Sequence, residues 1–528
     1  MIFTRPMGSE TEFGVSCPTR PGAHETILSA LVVDSYPDAA RQAGWDYAGE
    51  TPLRDARGGR MEEEQAHPSQ LTHRTRVLTS QDVARELIAD SPQAADPRFW
   101  ERTAMNRVLP DGARFYVDHA HPEYSAPETT HPWEALVRDA AGDLIAARAA
   151  QAVPARYGAT WPDPVVLHKN NTDNKAVSYG YHENYLVPRR IDFSRIAAVM
   201  IPFLATRPVL VGAGRAGLGA QDVRPGFQIS QRADFFERTI GLETTIRRPL
   251  VNTRDEPHAD AARWRRLHVI PGDATLSHTS TLLKFASAAA VLTLIEQDAA
   301  PDLELAAPVQ AMQLISRDPS LATRVELTDG RRLTGLEIQR IYAEAARERA
   351  DVLGALQPRD EEIFRIWFEV LDGLTRDPLS QADRLDWVAK YALIRGYAER
   401  GIDVGHPKVQ ALDLQYADLR PQRSLYAKLV ALGRMRTLVA QERIEEAVCT
   451  PPEDTRAWLR GRLIATWPDQ VHSAGWEVLA LRDPDTDRVH RWVVDDPLRG
   501  TRAETEHVLE TSPSAVAALR RLGMQTLG

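Results

Sequence analysis

Arg114, Tyr116, Asp118, His119, His121, Glu123 and Glu128 all fall within one stretch, DGARFYVDHAHPEYSAPE, residues 111–128. A strand that only had to fold would not carry so many ionisable groups among apolar neighbours. Burying an unpaired charge costs several kcal/mol, on the order of the whole stability margin of a domain. These charges are therefore expected to face a metal, a phosphate or one another. Tyr116 and Asp118 share a strand face by period two, and Glu123 follows a proline-containing bend. An aspartate beside bound phosphate and metal can polarise water or attack a carbonyl or phosphoryl centre. At neutral pH an ordinary aspartate is ionised, as either role requires. The alternative is a buried structural ion network.

Three more clusters have similar chemistry. Glu10 and Glu12 stand two apart in GSETEFGVSC, so both carboxylates leave one strand face and repel unless a cation or arginine lies between them. Paired hard oxygen ligands suit Mg²⁺ shared with nucleotide phosphates. A solvated surface strand is the plain alternative. In HKNNTDNKAVSYGYHENY, residues 168–185, His182 and Glu183 can ligate or position a substrate, although a lone histidine is as well explained as a core residue. The HEN triplet is not a zinc motif, because position 186 is Leu rather than His. In NTRDEPHADAARWRRLH, residues 252–268, Arg254 is placed to clamp a phosphate or carboxylate in bidentate fashion, with His258 close by. A self-neutralising salt network is the other reading.

The elements that must position these groups are legible in outline. Strands are predicted at 8–17, 114–118, 164–169, 178–187, 208–212, 226–231 and 241–251. Helices are predicted at 24–43, 132–152, 193–207 and 278–297, then over most of 275–450, including 334–351, 358–375 and 380–400. One more is expected after the N-cap Ser80. Near the C-terminus the pattern gives a helix from Thr455, strands at 474–482 and 488–495, and a terminal helix from Pro513. GAGRAG, within residues 212–217, lacks a βαβ frame and reads as a glycine-rich turn rather than a dinucleotide fingerprint.

With 528 residues the chain is too long for one core. The reading divides it into a catalytic domain, 1–445, with an irregular inserted loop at about 45–107, and a small C-terminal domain, 446–528. A net charge of −9 provides no global field for nucleic acid. Local basic runs at Arg247–Arg248 and at Arg263, Arg265, Arg266 and His268 are the places where an acidic partner would bind. Cys17 and Cys449 are the only cysteines, too few and too far apart for a metal site, and point to a reducing cytoplasm. The longest apolar run, Phe285 to Ile295, is shorter than the ~20 residues of a membrane span and reads as a buried helix.

Taken in order, GSETEFG, DGARFYVDHAHPEYSAPE, KNNTDNKAVSYGYHENYL and VNTRDEPHADAARWRRLHVIPGD resemble the family of ligases and deamidases that act on the prokaryotic ubiquitin-like protein Pup. The resemblance implies an α+β, glutamine synthetase-like (carboxylate–amine ligase) fold. In it a curved antiparallel sheet flanked by helices cradles ATP, or ADP plus phosphate, with Mg²⁺. It implies Asp118 as the catalytic aspartate, Glu10, Tyr116 and Glu123 as metal-associated positions, and Arg114 and Trp476 as nucleotide contacts. Glu12, His182, Glu183, Arg254 and His258 are further candidates for metal, phosphate or substrate. Arg247, Arg248, Arg263, Arg265 and Arg266 are candidates for a groove that receives acidic Pup. VDHAHPEYSAPE and WDYAGETPLRDARGG look like the deamidase branch, which hydrolyses, whereas ligases read closer to DVGSHPEYAT. GSETEFGVSC is nearer the ligase form, and the insertion after Gly59 is longer than usual. The implied activity is Mg-ATP-dependent removal of Pup from conjugates (depupylation) or deamidation of its terminal glutamine, with Pup–protein ligation as the alternative. The implied partners are Pup and pupylated proteins, with neither nucleic acid nor membrane.

Overall fold

Alternation along β1 (Met7–Glu12) sets the plan of the molecule. Met7, Ser9 and Thr11 point to one side, and Gly8, Glu10 and Glu12 to the other. The computed structural model describes residues 1–37, 43–47, 49–66, 103–158, 161–172, 178–217, 225–354 and 356–527. The strands β2 (Asn106–Val108), β3 (Arg114–Asp118), β4 (His121–Ser125), β5 (Tyr181–Pro188) and β6 (Trp264–Val269) join β1 in a six-stranded sheet of order β6-β5-β1-β4-β3-β2. Every neighbouring pair is antiparallel. Register places Glu12 opposite Glu123, Glu123 opposite Tyr116, Glu10 opposite His182, and Asn184 opposite His268.

Helices cover the apolar face. Phe115 and Tyr124 pack with α1 (Glu25–Asp34) and α2 (Pro132–Tyr157). Tyr185, Val187, Leu267 and Val269 pack with α3 (Phe193–Thr206) and α4 (His278–Glu296), backed by α5 (Gly335–Leu353) and α6 (Pro358–Arg376). Helix α2 starts where Pro132 fixes the first helical φ and the His131 ring accepts from the Trp133 N–H. It crosses β4 closely because Gly142 lies against the Tyr124 ring, where a Cβ would meet the ring Cδ1 at 2.3 Å. Among the described residues α4 is the one helix long and apolar enough to cross a membrane, and it is wholly buried in the core. The sheet also buries charge on this side. Glu183 is bound by both terminal nitrogens of Arg207 at 2.7 and 2.8 Å, and Lys169 pairs with Asp143 at 2.9 Å and with Asp139.

The C-terminal part forms a second, five-stranded sheet over its own small core. Its strands are Thr526–Leu527, Val489–Val493, Val478–Arg482 and Val471–Ala474, and the fifth is Gly44–Trp45, parallel to Val471–Ala474. The start of the inserted stretch thus completes the C-terminal sheet. Helix α7 (Ala457–Thr466) and the residue before it dock on the main sheet through Glu128, which accepts from Arg456 at 2.6 Å and from Arg460.

Several boundaries differ from expectation. The first strand breaks at Phe13 into Met7–Glu12 and Gly14–Ser16. Helix α1 ends at Asp34, shortly before Pro37, whose ring disfavours helix in the residue ahead of it. Residues 208–211, expected as a strand, form a helical turn, because Pro208 continues from Arg207, which is already helical. Arg502–Thr511 is a helix that periodicity did not single out. The helix expected after Ser80 lies outside the described residues.

Candidate active site

The polar face of the sheet gathers the acidic candidates in two adjacent groups. Glu12, Asp118 and Glu123 offer carboxylate oxygens within 4.8 Å of one another. Tyr116 Oη donates to Glu123 Oε1 at 2.7 Å, which fixes that carboxylate. Burial, together with the like charges of Asp118, Glu10 and Glu12, pushes the Glu123 carboxyl well above its usual range. Burial also opposes the charge on Asp118, but the His119 ring, Arg114 and His182 outweigh it and hold that carboxyl below the usual range. Asp118 Oδ2 lies 2.7 Å from His119 Nδ1.

The second group surrounds Glu10. Its oxygens face His182 Nδ1 at 3.2 Å, Asn184 Nδ2 at 3.0 Å, Arg266 at 3.6 Å and His268 Nε2 at 3.6 Å. The two imidazoles hold the Glu10 carboxyl well below its usual range against the effect of burial. Burial drives His268 down to about 3, so its ring is neutral, and neither ring nitrogen has a hydrogen-bond partner among the described residues. A buried, neutral, unpartnered imidazole beside a carboxylate has the donor set of a cation site. The crowded trio of carboxylates offers the hard oxygens that Mg²⁺ prefers. The residues present therefore fit a divalent cation.

Arg114 is caged. Its guanidinium lies 3.8 Å over the Tyr116 ring and 4.2 Å over the Trp45 ring, and donates to Asn106 Oδ1 and Tyr47 Oη at 3.2 Å each. Glu50 stands 3.8 Å away. Burial pushes the Glu50 carboxyl up to about 7, with Arg114 pulling the other way. Trp45 meets Trp476 edge to face at 5.1 Å. Trp476 borders a cleft of roughly 530 Å³, partly open to solvent, whose walls include Glu10, Pro257, His258, Arg266 and Pro497. Burial lowers His258 well below its usual range, so it presents a neutral ring to that cleft.

Other sequence candidates lie elsewhere. Glu183 points away from this face and is bound to Arg207 in the core, which leaves it no role at a metal or substrate. Arg254 is buried behind the segment 51–56 and electrostatically close to Glu50. The arginines proposed for a Pup groove do not form one. Arg248 donates to the Ser178 carbonyl at 2.7 Å, Arg265 to the Ile191 carbonyl at 2.7 Å, and Arg266 to Asn184 at 2.7 Å, and all three are buried. Arg263 is exposed but paired with Asp496 at 2.8 Å, and Arg247 is exposed in a loop. Sequence reasoning missed Asn184, Glu50, Tyr47 and Arg232 as site residues, and read His268 only as part of a basic run. Arg232 is buried beside Arg248 and near Glu12, and burial lowers it to about 9.

Known proteins resemble this chain over most of its length. A family model described as Pup-ligase protein matches residues 5–480. A depupylase of Acidothermus cellulolyticus is 44% identical over 526 residues, 98% of this chain and 99% of its own. A Pup deamidase/depupylase of Mycobacterium tuberculosis is 43% identical over 529 residues, with the same coverage of both chains. A Pup–protein ligase of Acidimicrobium ferrooxidans is 41% identical over 392 residues, 73% of this chain and 85% of its own. The structure of Pup bound to its ligase PafA superposes with a TM-score of 0.75 at 28% identity, covering 96% of this chain and 92% of that one. The ligase PafA with ADP gives 0.71 at 33% identity, covering 78% and 91%. The α+β architecture expected from the sequence, an antiparallel sheet flanked by helices, is the one found, and it is shared with the Pup ligase PafA. Matched along nearly its whole length, and with a strand from each of its four motifs joined in one sheet, the chain belongs to the Pup-ligase family.

Proposed function

We propose that this enzyme hydrolyses the isopeptide bond between Pup and a substrate lysine, and the side-chain amide of glutamine-ended Pup, with Mg-ATP bound. The observation that carries this reading is an ionised Asp118 beside Glu12 and Glu123 in a chain that depupylases match over 98% of its length. The ligase relative matches 73%. Glu10, Glu12 and Glu123, with Tyr116 holding Glu123, would keep Mg²⁺, and His182 and His268 flank it. Arg114 and Trp476 would contact the nucleotide, with His258 on the same cleft. When bound, Mg²⁺ and nucleotide supply positive charge and phosphate oxygens near the reacting carbonyl.

In the hydrolysis, Asp118 supplies the carboxylate that opens the reaction, by adding to the carbonyl carbon or by taking a proton from the water that adds. The carbonyl C–N bond then breaks, and the lysine amine, or ammonia, leaves with a proton. In the base route this is the proton that Asp118 took from water. In the addition route it comes from solvent, after which water hydrolyses the anhydride formed with Asp118 and frees its carboxylate. Arg232 and Arg248, buried near Glu12, add positive charge on the side where the oxyanion develops. Cys17 and Cys449, not joined to each other in a disulfide, fit a cytoplasmic setting.

The second reading, Pup–protein ligase, is favoured by the ligase-like GSETEFGVSC. Glutamate-ended Pup, ATP and a lysine-bearing protein would then yield a conjugate. The test sets that mixture beside a Pup–protein conjugate and glutamine-ended Pup, each with and without ATP. Release of protein and ammonia is expected, with no new conjugate. Asp118→Asn is expected to lower cleavage by about 10²–10⁴-fold. Hydrolysis that survives this change removes Asp118 from the mechanism.

A further inference from the structure

We propose that His119 is a positioning residue that holds Asp118 by one oxygen and aims the other at the reacting carbonyl. The inference rests on the hydrolase reading above.

Asp118 ends β3 and pairs with His121 at the start of β4, so His119 and Ala120 alone make the turn. His119 takes φ +53°, the left-handed region where glycine is the easiest residue. The chain places an imidazole there instead, and its Nδ1 lies 2.7 Å from Asp118 Oδ2. A carboxylate only accepts, so Nδ1 carries the proton. The pair sits at the open edge of the site, with side chains 37% and 23% exposed, where a substrate amide can reach it.

A carboxylate that is free to rotate about Cβ–Cγ offers either oxygen in a range of directions. One tied through Oδ2 presents Oδ1 in a single direction. The backbone contributes to this, because a left-handed turn residue immediately after Asp118 folds its side chain back onto the preceding one.

Three variants separate the side chain from the backbone. His119→Gly relieves the left-handed turn and removes the donor. His119→Asn tolerates that backbone and keeps an N–H donor at the level of Nδ1. His119→Gln carries its donor one bond further out. On the full-length enzyme with Mg-ATP and a Pup–protein conjugate, His119→Gly is expected to lower kcat about 10- to 100-fold. KM, ATP affinity and thermal midpoint should stay at wild-type values. His119→Asn should recover most of the loss, and His119→Gln little of it. Wild-type kcat in His119→Gly, or His119→Asn as slow as His119→Gly, overturns the proposal. So does a loss confined to KM.

A second readout does not depend on activity. Imidazole ¹⁵N shifts of His119 should report the Nδ1–H tautomer in the wild type and revert to the ordinary Nε2–H form in Asp118→Ala. An Nε2–H ring in the wild type also overturns it. If the wild type cleaves no conjugate while the tautomer behaves as stated, the depupylase reading fails and the His119–Asp118 coupling stands.

Discussion

Glu123→Gln tests whether the polar face is built around a cation. Ligand oxygens of Glu12, Asp118 and Glu123 lie within 4.8 Å of one another. At that separation two like charges in a site of effective dielectric near 20 repel by about 3.5 kcal/mol. Glu123 therefore meets about 7 kcal/mol of gross repulsion from its two neighbours, which protonation or a cation must relieve. Gln is isosteric, still accepts from Tyr116 Oη, and carries no charge. In EDTA the variant is expected to be at least as stable as the wild type, contrary to the usual result for a buried substitution. With Mg-ATP at 100 times its Kd, the wild type gains about 2.7 kcal/mol. Unfolding entropy near 2.1 cal/mol/K per residue, taken over the whole chain, converts this to a rise in melting temperature of about 2–3 °C. Glu123→Gln should lose most of that rise. Differential scanning calorimetry in EDTA and in Mg-ATP measures both quantities. A variant several kcal/mol less stable without metal, or one that keeps the full Mg-ATP shift, refutes the reasoning.

Three further predictions concern stability. Two arginines bring the Glu128 carboxyl down to about 2 despite burial, against an ordinary 4.5. The depressed value contributes about 3 kcal/mol above pH 4.5, and this is lost as pH falls toward 2. Glu128→Gln should remove it at neutral pH and flatten the acid dependence of unfolding, followed through the tryptophan fluorescence of the C-terminal part. Gly142→Ala should destabilise by about 1–3 kcal/mol in urea, because the new methyl meets a Tyr124 ring that Asp111 tethers at 2.7 Å. Gly396→Ala, where nothing stands within 4 Å, should be neutral or stabilising by up to about 1 kcal/mol.

How much of the site the sequence revealed follows from strand geometry. Period two was enough to put Glu10 with Glu12 and Tyr116 with Asp118, and the structure keeps both pairs on one face. It also separates His182 and Asn184 from Glu183, but alternation alone does not say which set meets the core. The antiparallel pairing with β1 decides that, and a register one residue away would exchange them. Arg265 and Arg266 repeat the case on β6: Arg265 turns to the helices and Arg266 to Glu10. Surface charge was the wrong expectation for this run because adjacency to β5 is a long-range fact that no local pattern encodes. His268 was hidden for the same reason. Its neighbours, Glu10 and His182, come from strands that precede it by more than 80 residues. The helical turn at Pro208–Val211 forms against the strand preference of its β-branched Val209 and Val211, because the proline continues a helix already begun.

The side of the site around Arg114 and Trp476 joins the two sheets more firmly than the division at residue 446 implies. Trp45 lies between Arg114 of the central sheet and Trp476 of the C-terminal one, while its own backbone completes the C-terminal sheet. Glu50 and Thr51 reach the same region, with the Thr51 N–H donating to Glu256, which also meets Arg266 at 3.3 Å. Glu128, Arg456 and Arg460 close the other side, and Arg456 also donates to the His258 carbonyl at 2.6 Å. Trp45, Glu50 and Thr51 are thus tied to groups from the central sheet, the C-terminal sheet and the segment before β6. Glu50, whose carboxyl burial pushes up to about 7, stands 3.8 Å from Arg114 on this side. The inserted stretch, read from its irregular pattern as an addition to the fold, begins as one wall of the site.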